Sequence, residues 1–338
     1  MDMEKLKFKV CVRCYTYNQS KYITHTMDGF SMQKTEFPYV CCIVDDASTD
    51  GEGEILKKYL SKNFDVQDEK YSYCTENESA IIYFAQHKTN KNCFFSLVLL
   101  KYNHYSLNKS KLSYLKSWRE LALYDAMCEG DDYWIDEYKL QKQTEILDAD
   151  KEVLLVHTGF ITVDTNNIDF TWKKYNHYQE ISKKEKGLVS LLDKNHIMTL
   201  TIMHRKEVIE SALYRGSPYP YDYAIFLSAA LLGKIKFIPQ KMCAYRKTPT
   251  GEIQSRASIV NKELYIVYRY FIVEILKNAD YRRKLHHNII AYFYILANLF
   301  FNRDYRICKK VFAVTPVAIL IAPFAYFYAS LKRLKSKF

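Results

Sequence analysis

Two apolar runs near the start of the chain each end abruptly in polar residues. The first is FKVCVRCYTYN at 8–18, and the second is VCCIVDDASTDG at 40–51. Short apolar runs that give way to Asn, Asp, Ser and Gly are typical of buried strands that lead into loops. A stretch with helical periodicity at 20–33, with Ser20 as a plausible N-cap, lies between the two runs. A second such stretch, at 53–60, follows the second run. Strand, helix, strand and helix within about 60 residues predict a right-handed βαβ unit of an α/β fold.

The same pattern returns later in the chain. ALYDAMCEGDDYW at 122–134 runs from apolar positions into acids, KLQKQTEILD at 139–148 has helical spacing, and EVLLVHTGFITVD at 152–164 is a strand candidate. Residues 61–117 are polar and rich in Tyr and Lys, so we expect loops and small strands there, with FFSLVLL at 94–100 buried. These elements predict a mixed, mostly parallel sheet flanked by helices.

Four carboxylates follow two of the predicted strands. Asp45 and Asp46 end one strand, and Asp131 and Asp132 end another. Ligands of such sheets bind at the carboxyl ends of the strands, and clustered acids there raise one another's pKa unless a cation neutralises them. Neither early strand is followed by a glycine-rich phosphate loop or a Walker lysine. The pattern is therefore compatible with a Mg²⁺ or Mn²⁺ site that holds a phosphate, or with solvated acidic turns.

The formal charge of +11 is concentrated at the end of the chain. Residues 303–338 hold eight Lys or Arg against one acid, Asp304, so we expect no nucleic-acid groove over the body of the protein. The segment 311–329 has no charged residue, but Pro316 and Pro323 interrupt it. We expect this tail to lie in a membrane interface, and a helix docked on the protein is the alternative. The predicted organisation is an α/β domain at 1–256, a helical extension at 257–302 and a membrane-associating tail at 303–338.

Nine cysteines raise the question of disulfides or metal binding. The first ten residues are charged and contain no apolar run, so we expect reduced thiols in a cytosolic protein. Cys11 and Cys14 form a C-x-x-C inside a predicted strand, and Cys41 and Cys42 are adjacent and would point to opposite faces. Neither arrangement favours zinc, and we expect buried structural thiols.

Five motifs in order resemble one enzyme family. They are VRCYTYNQSKYI, IVDDASTDG, CEGDDYW followed by KLQKQ, TLTIMHRKEVI, and YDYAIFLSAALLGKIKFIPQKMCAYR. Together, over residues 8 to about 256, they are similar to the inverting glycosyltransferases of family 2 with the GT-A fold, and to the bacterial enzymes that assemble surface polysaccharides. The resemblance implies a GT-A, Rossmann-like sheet. It also implies that Asp45 and Asp46 face the uracil and ribose of a nucleotide sugar, with Tyr17 and Asn18 bordering the same pocket.

The resemblance also implies the chemistry. Asp131 and Asp132 would hold the metal and the diphosphate, and Glu129 stands where many relatives have Asp. Asp222 matches the position of the base that deprotonates the acceptor hydroxyl, although without the resemblance a helix cap would be the ordinary interpretation. Arg246 would lie near the diphosphate or the acceptor.

The predicted function is metal-dependent transfer, with inversion, of a sugar from a nucleotide-sugar donor to a hydroxyl of a growing glycan. A UDP-sugar is the expected donor, a hexosyl or N-acetylhexosaminyl unit the expected group, and a lipid-linked surface glycan the expected acceptor. The enzyme would act in the cytoplasm, attached to the inner face of the cell membrane. The alternatives are a nucleotidyltransferase, although residues 11–20 lack the glycines of its phosphate loop, or a non-catalytic protein that binds glycans or membranes.

Overall fold

The computed structural model describes residues 7–170, 187–248, 257–285, 288–315 and 317–335. The chain forms two compact units. The first holds the described residues of Met1–Gln179, Ile197–Glu207 and Lys236–Gly251, and the second holds those of Glu180–His196, Val208–Ile235 and Glu252–Phe338. The predicted boundary at residue 256 lies outside the described residues, and the predicted domain limits stay a prediction.

One sheet of eleven strands organises the fold. Its strands are β1 (Val10–Thr16), β2 (Tyr39–Asp45), β3 (Phe64–Asp65), β4 (Tyr73–Glu76), β5 (Ala80–His87), β6 (Cys93–Leu100), β7 (Tyr124–Met127), β8 (Tyr133–Trp134), β9 (Val153–Val163), β10 (Met203–Arg205) and β11 (Lys234–Arg246). The order across the sheet is β3, β5, β6, β2, β1, β7, β10, β9, β11, β8, and β4 pairs with β5.

The centre of the sheet is parallel and its flanks are antiparallel. Strand β1 pairs in parallel with β2 and β7, and β2 pairs in parallel with β6. The β5–β6, β7–β10, β9–β10 and β8–β11 pairs are antiparallel. The predicted mixed α/β sheet is confirmed. Since Thr16 lies opposite Asp45 in the β1–β2 register, the polar loops that follow these strands open on the same edge of the sheet.

Four helices cover this sheet. They are α1 (Ile23–Ser31), α2 (Glu52–Asn63), α3 (Ser113–Leu121) and α4 (Lys139–Ala149). Helix α1 begins three residues after the start of the helix predicted at 20–33. Its N-cap is Tyr22 and not Ser20. The Ser20 amide donates instead to Asp50 Oδ2 at 2.9 Å. The helix predicted at 139–148 is confirmed by α4.

Alternating side chains of the central strands enter two separate cores. Cys14 and Cys41 pack with the residues of α1, α2 and α4, whereas Cys11 and Cys42 pack with Leu115 and Trp118 of α3. A strand sends successive side chains to opposite faces, so Cys11 and Cys14 lie on different sides of β1. All nine cysteines are free and all but Cys74 are buried, which confirms the prediction of structural thiols.

The remaining helices are short or C-terminal. They are α5 (Gly187–Asp193), α6 (Lys206–Glu210), α7 (Ala212–Arg215), α8 (Asp222–Leu232), α9 (Ala257–Lys277), α10 (Ala279–Leu285), α11 (Ile289–Phe301), α12 (Tyr305–Val314) and α13 (Ala318–Lys335). The uncharged run at 311–329 is therefore divided between α12 and α13. Among the helices that the structure describes, none combines the length and apolar character needed to cross a lipid bilayer.

Candidate active site at the carboxyl edge of the sheet

Asp45 and Glu52 share a buried hydrogen-bond network. The Ser48 amide donates to Asp45 Oδ1 at 3.0 Å, and the Ser48 hydroxyl lies between Asp45 Oδ1 and Glu52 Oε2. Thr16 Oγ1 and the Gln19 amide also donate to Glu52. Burial raises the pKa of both Asp45 and Glu52, and these hydrogen bonds oppose part of that effect. The network joins the end of β1 to the start of α2.

Asn18 connects the loops that follow β1 and β2. Its backbone lies in the left-handed region at φ 54°, which Asn tolerates better than most residues. Its amide donates to Ser48 Oγ at 2.8 Å, and its side-chain Oδ1 accepts from the Thr49 amide at 2.8 Å. The neighbouring Tyr17 has an exposed side chain. The predicted pair therefore lies at the edge where a ligand of the sheet would bind, with Tyr17 open to solvent.

Asp46 holds the loop that follows β6. One carboxylate oxygen accepts from the His104 amide at 2.6 Å, and the other accepts from the Tyr105 amide at 3.1 Å and from Lys111 Nζ at 2.6 Å. The Asn103 side chain donates to the Asp46 carbonyl at 3.0 Å. Both oxygens of this buried carboxylate are thus occupied by the chain itself. Asp46 fixes the residue 103–111 loop beside the predicted nucleotide pocket.

Gly130 allows the acidic loop after β7 to approach β1 closely. A Cβ at this position would lie 2.1 Å from Thr16 Oγ1 and 2.6 Å from Thr16 Cβ, so no larger residue fits without movement. The Gly130 amide donates to the Tyr15 carbonyl at 3.1 Å. The Thr26 hydroxyl of α1 lies within hydrogen-bond distance of the carbonyls of Gly130 and Asp132. These contacts set the path of the backbone that carries Asp131 and Asp132.

Asp131 and Asp132 lie beside Arg246 at the end of β11. The Arg246 amide donates to Asp132 Oδ1 at 2.7 Å, and Arg246 Nε donates to the Asp131 carbonyl at 2.8 Å. Burial raises the pKa of Asp131, and it raises that of Asp132 well above the usual range, with the Asp131 charge adding to the effect. The half-buried Glu129 raises the pKa of Asp132 further. The Arg246 charge lowers the pKa of both carboxyl groups, but burial outweighs this effect, so a bound cation would be favourable.

The Arg246 guanidinium occupies an aromatic cage with one unused donor. It lies 4.5 Å from the centre of the Tyr22 ring and 5.2 Å from that of Tyr133. Its Nη1 donates to Asn167 Oδ1 at 2.5 Å. The residue is buried, yet in the described part of the chain Nη2 has no hydrogen-bond partner. A buried guanidinium donor without a partner is unfavourable unless a ligand completes it.

Trp134 follows the acidic loop and packs in the hydrophobic core. Its ring contacts Phe30 edge-on at 4.8 Å, and its Nε1 donates to the Leu200 carbonyl at 3.0 Å. The buried Lys139 ammonium lies 4.2 Å from the centre of the same ring and donates to Gln143 Oε1 at 2.7 Å. Trp134 is thus a packing residue rather than a surface for a sugar.

The described residues provide only part of the ligand set that a metal ion needs. Among the residues that the structure describes, no three His, Cys, Asp or Glu side chains come together as a metal cluster. Hard cations such as Mg²⁺ usually bind one or two carboxylates and complete their shell with water and substrate phosphates. Asp131 and Asp132 fit that kind of shared site, since Asp132 is held by Arg246 and no other described residue donates to the Asp131 carboxylate.

Asp222 belongs to the second unit and is the first residue of α8. Its side chain is half-buried, and its Oδ1 accepts from the Tyr223 amide at 2.7 Å. Tyr221 is the N-cap, so Asp222 lies one position inside the helix. A carboxylate in the first turn interacts favourably with the helix dipole, which is compatible with a stabilising role and with a base alike.

Comparison with known proteins finds a family match over an early part of the chain. Residues 12–80 match the model of Glycosyl transferase family 2. The chain is similar in structure to S. aureus TarS 1-349 in complex with UDP-GlcNAc, with a TM-score of 0.55 and 16% identity, over 97% of this chain and 92% of that one. The chain has the fold of the family 2 glycosyltransferases. The predicted recognition and GT-A fold are confirmed.

Two other known proteins are similar to this chain. The mannosyltransferase PcManGT from Pyrobaculum calidifontis, in complex with GDP-Man and Mn2+, has a TM-score of 0.50 and 14% identity, over 99% of this chain and 89% of that one. The uncharacterized protein Mb1547 of Mycobacterium bovis is 26% identical over 237 residues, which cover 70% of this chain. The chain spans 58% of the length of that curated relative.

Several residues that shape the candidate site carry little signal in the sequence. Glu52 carries the network under Asp45, and its only sequence signal is its position at the start of α2, four residues after Ser48. Lys111 pairs with Asp46 from a stretch that periodicity leaves unassigned. Tyr22 and Tyr133, which enclose Arg246, are two of thirty tyrosines and cannot be singled out by composition.

Proposed function

We propose that this protein transfers a sugar from a nucleotide-sugar donor to a hydroxyl group of a growing glycan, with inversion and with the help of Mg²⁺ or Mn²⁺. A UDP-sugar is the proposed donor, and a hexose or N-acetylhexosamine is the proposed group. The observation that carries the proposal is the buried pair of Asp131 and Asp132, whose pKa values are raised, at the carboxyl edge of a GT-A sheet. Arg246 lies beside this pair, and its Nη2 has no hydrogen-bond partner among the described residues. Two solved structures of similar fold contain nucleotide sugars.

Asp131 and Asp132 would hold the metal ion. Asp131 presents a carboxylate to which no other described residue donates, whereas Asp132 is fixed by the Arg246 amide and would keep the pair in place. A divalent ion bound there would neutralise the negative charge that develops on the departing nucleoside diphosphate. Glu129, with its longer side chain at the edge of the pair, adds negative charge that favours a cation.

Arg246 would bind an anionic part of the donor. Its Nη2 is buried without a partner while Nε and Nη1 are held by carbonyl and amide oxygens, so the guanidinium is already oriented. A planar, fixed guanidinium suits phosphate oxygens, and a charge-assisted hydrogen bond to one of them would satisfy the remaining donor. This argument supports the diphosphate rather than the acceptor as the partner of Arg246.

The nucleoside would lie at the loops that follow β1 and β2. Tyr17 offers an exposed ring, and Asn18 holds the two loops together. Asp45 contributes a buried carboxyl group whose pKa is raised. Asp46 would act through the 103–111 loop, because its carboxylate is already engaged by that loop.

Asp222 would be the base that removes the proton of the acceptor hydroxyl. A single carboxylate is sufficient for inversion, because the acceptor oxygen attacks the anomeric carbon from the face opposite the leaving group. The acceptor is proposed to be a lipid-linked surface glycan.

Ligand-dependent thermal stability tests the proposal. We expect one of the UDP-, GDP- or dTDP-sugars to raise the melting temperature of the protein in the presence of Mn²⁺, and EDTA to remove that shift. Asp131→Asn should abolish the metal dependence. Asp164→Asn is the matched control and should keep the metal dependence. The Asp164 carbonyl accepts from Arg246, but the Asp164 carboxylate accepts from the Asn166 amide in its own turn.

Product analysis separates transfer from the chemistry of a nucleotidyltransferase. Glycosyl transfer or donor hydrolysis releases a nucleoside diphosphate, whereas a nucleotidyltransferase consumes a nucleoside triphosphate and releases pyrophosphate. Stabilisation by no nucleotide sugar, or an equal shift in EDTA and in the Asp131→Asn variant, would contradict the metal-dependent function.

A further inference from the structure

Helix α13 turns its large apolar side chains away from the protein. Leu320, Phe324 and Phe327 are exposed at 72%, 70% and 67%, and Leu331 and Leu334 are exposed as well. Their spacing of four, three, four and three residues places all five on one helical face. We call this set the outer stripe of α13. Scattered exposed apolar residues are ordinary, but a continuous stripe of this kind marks a surface that something covers.

The opposite face of α13 holds small residues and packs on α11. Ala318, Ala325 and Ala329 are fully buried. Tyr326 and Tyr328 lie at the sides of the helix, where their rings contact Phe300 at 5.5 Å and Phe293 at 5.6 Å. The helix is therefore fixed with its alanines inward. The exposure of the outer stripe follows from this packing and is not the result of a detached segment.

Helices α12 and α13 carry exposed basic side chains. Lys309 and Lys310 on α12 are exposed, and so is Lys332 on α13, which lies 5.6 Å from the Phe301 ring centre. Residues 303–338 carry eight Lys or Arg and one acid, and Arg269 already pairs with that acid, Asp304, at 2.7 Å. The segment that contains the stripe therefore carries unbalanced positive charge.

We propose that the outer stripe of α13 inserts into the surface of an anionic lipid bilayer, with the nearby basic residues on lipid head groups. Apolar side chains on one face, tyrosines at its borders and lysines around it are the features of a helix that lies in a membrane interface. The alternative occupant of the stripe is a second copy of the protein. Such a dimer would bring the positive charges of both copies together, which is unfavourable because the stripe has no acidic residue to balance them. This goes beyond the proposed function and does not depend on it. Lipid binding would also hold the enzyme at the inner face of the cell membrane, beside a lipid-linked acceptor.

Sedimentation of the full chain with vesicles tests the proposal. We expect binding to phosphatidylcholine vesicles that contain phosphatidylglycerol and weak binding to phosphatidylcholine alone. The double variant Phe324→Ser with Phe327→Ser should lower the vesicle affinity by at least about tenfold. Both side chains are exposed, so the variant should keep the melting temperature of the parent protein.

The matched control replaces two exposed apolar residues of the first unit. Val66→Ser with Leu123→Ser removes exposed apolar side chains from the first unit and should leave vesicle binding unchanged. Lys309→Gln with Lys310→Gln should weaken binding to the anionic vesicles and make the remainder less sensitive to salt. Undiminished vesicle binding by the Phe324 and Phe327 double variant would overturn the proposal. So would a parent protein that forms a dimer through this stripe, lost in the same variant, and binds no vesicles.

Discussion

The backbone amide of Arg246 donates to the Asp132 carboxylate at 2.7 Å, although 114 residues separate the two along the chain. The same pairing aligns the end of β11 with β8, where Ala244 lies opposite Tyr133. The Asp132 side chain is therefore held by backbone geometry and cannot turn to solvent. A carboxylate fixed in this way keeps an unfavourable charge in place until a cation or a proton relieves it.

Asp132→Asn should stabilise the metal-free protein and weaken donor binding. The amide oxygen of Asn can still accept from the Arg246 amide, while the buried charge is removed. Burial raises the pKa of Asp132 in the folded protein, so the penalty is absent below the unfolded pKa and appears as the pH rises through the folded pKa. We expect a gain of about 1–3 kcal/mol in the free energy of unfolding at pH 8 in EDTA, and a smaller gain at pH 5.

Denaturation in urea at both pH values checks this prediction. Asp125→Asn is the matched control, because that buried carboxylate is paired with Arg119 at 2.9 Å and should lose stability when the pair is broken. Equal destabilisation of both variants at pH 8 would show that Asp132 is already neutralised within the chain.

Gly130→Ala should destabilise the first unit and also impair the proposed metal site. The new Cβ would meet Thr16 Oγ1 at 2.1 Å, and relief requires the acidic loop or β1 to move. We expect a loss of about 2–4 kcal/mol in the free energy of unfolding and at least about a tenfold loss of Mn²⁺-dependent donor affinity.

Gly53→Ala provides the control for glycine replacement. Its nearest contact would be Asp45 Oδ2 at 3.4 Å, and alanine is favoured over glycine inside a helix. This variant should be as stable as the parent protein or more stable in urea denaturation. A Gly130→Ala protein with unchanged stability would mean that the loop has room that the structure does not show.

Lys111→Met distinguishes two roles for Asp46. If Asp46 positions the 103–111 loop, breaking its buried ion pair with Lys111 should cost about 3 kcal/mol and weaken donor binding in parallel with Asp46→Asn. If Asp46 instead contacts the nucleoside, Asp46→Asn should weaken binding far more than Lys111→Met. Titration calorimetry of both variants measures the difference, and Lys101→Met, which breaks an exposed pair with Glu76, should change stability by less than about 1 kcal/mol.

Asp222→Asn should remove sugar transfer while donor binding is preserved. A base acts on the acceptor, so its loss lowers turnover, by about a hundredfold or more, without changing donor affinity. The stability cost should stay below about 1 kcal/mol, the usual contribution of an acid in the first turn of a helix. Asp280→Asn, in the first turn of α10, is the control for that helix effect and should transfer at the parent rate. Transfer by Asp222→Asn at the parent rate would reduce Asp222 to a helix residue.

The parts of this fold that local sequence could predict are the strands with strong patterns. Apolar runs that end in acids or Asn correctly predicted β1, β2 and β7. The helices between such strands imply parallel pairing, and parallel pairing places the polar loops on one edge of the sheet. The antiparallel flanks were less predictable. Strands β10 and β11 are distant in sequence from their partners, and short strands such as β8 have no periodicity of their own.

The site could be predicted only where the residue type itself carried the signal. Acids at strand ends identified Asp45, Asp46, Asp131 and Asp132, but not which of them the chain would engage. The pairing of Lys111 with Asp46 and the enclosure of Arg246 by two tyrosine rings depend on tertiary contacts between distant segments. Such contacts follow from packing of the whole unit and not from any local pattern.

The position of Arg246 also sets an order of events during synthesis. Residues 12–80, which match the family model, contain neither the acidic loop nor Arg246. A ribosome that has reached α4 has already delivered Asp131 and Asp132, but their partner strand is still about a hundred residues away. Domains fold as units while the chain emerges, so the first unit cannot complete the contacts of Asp131 and Asp132 with Arg246 until β11 has left the exit tunnel. Until then, the two acids lack the backbone amide and guanidinium contacts that Arg246 provides in the complete first unit.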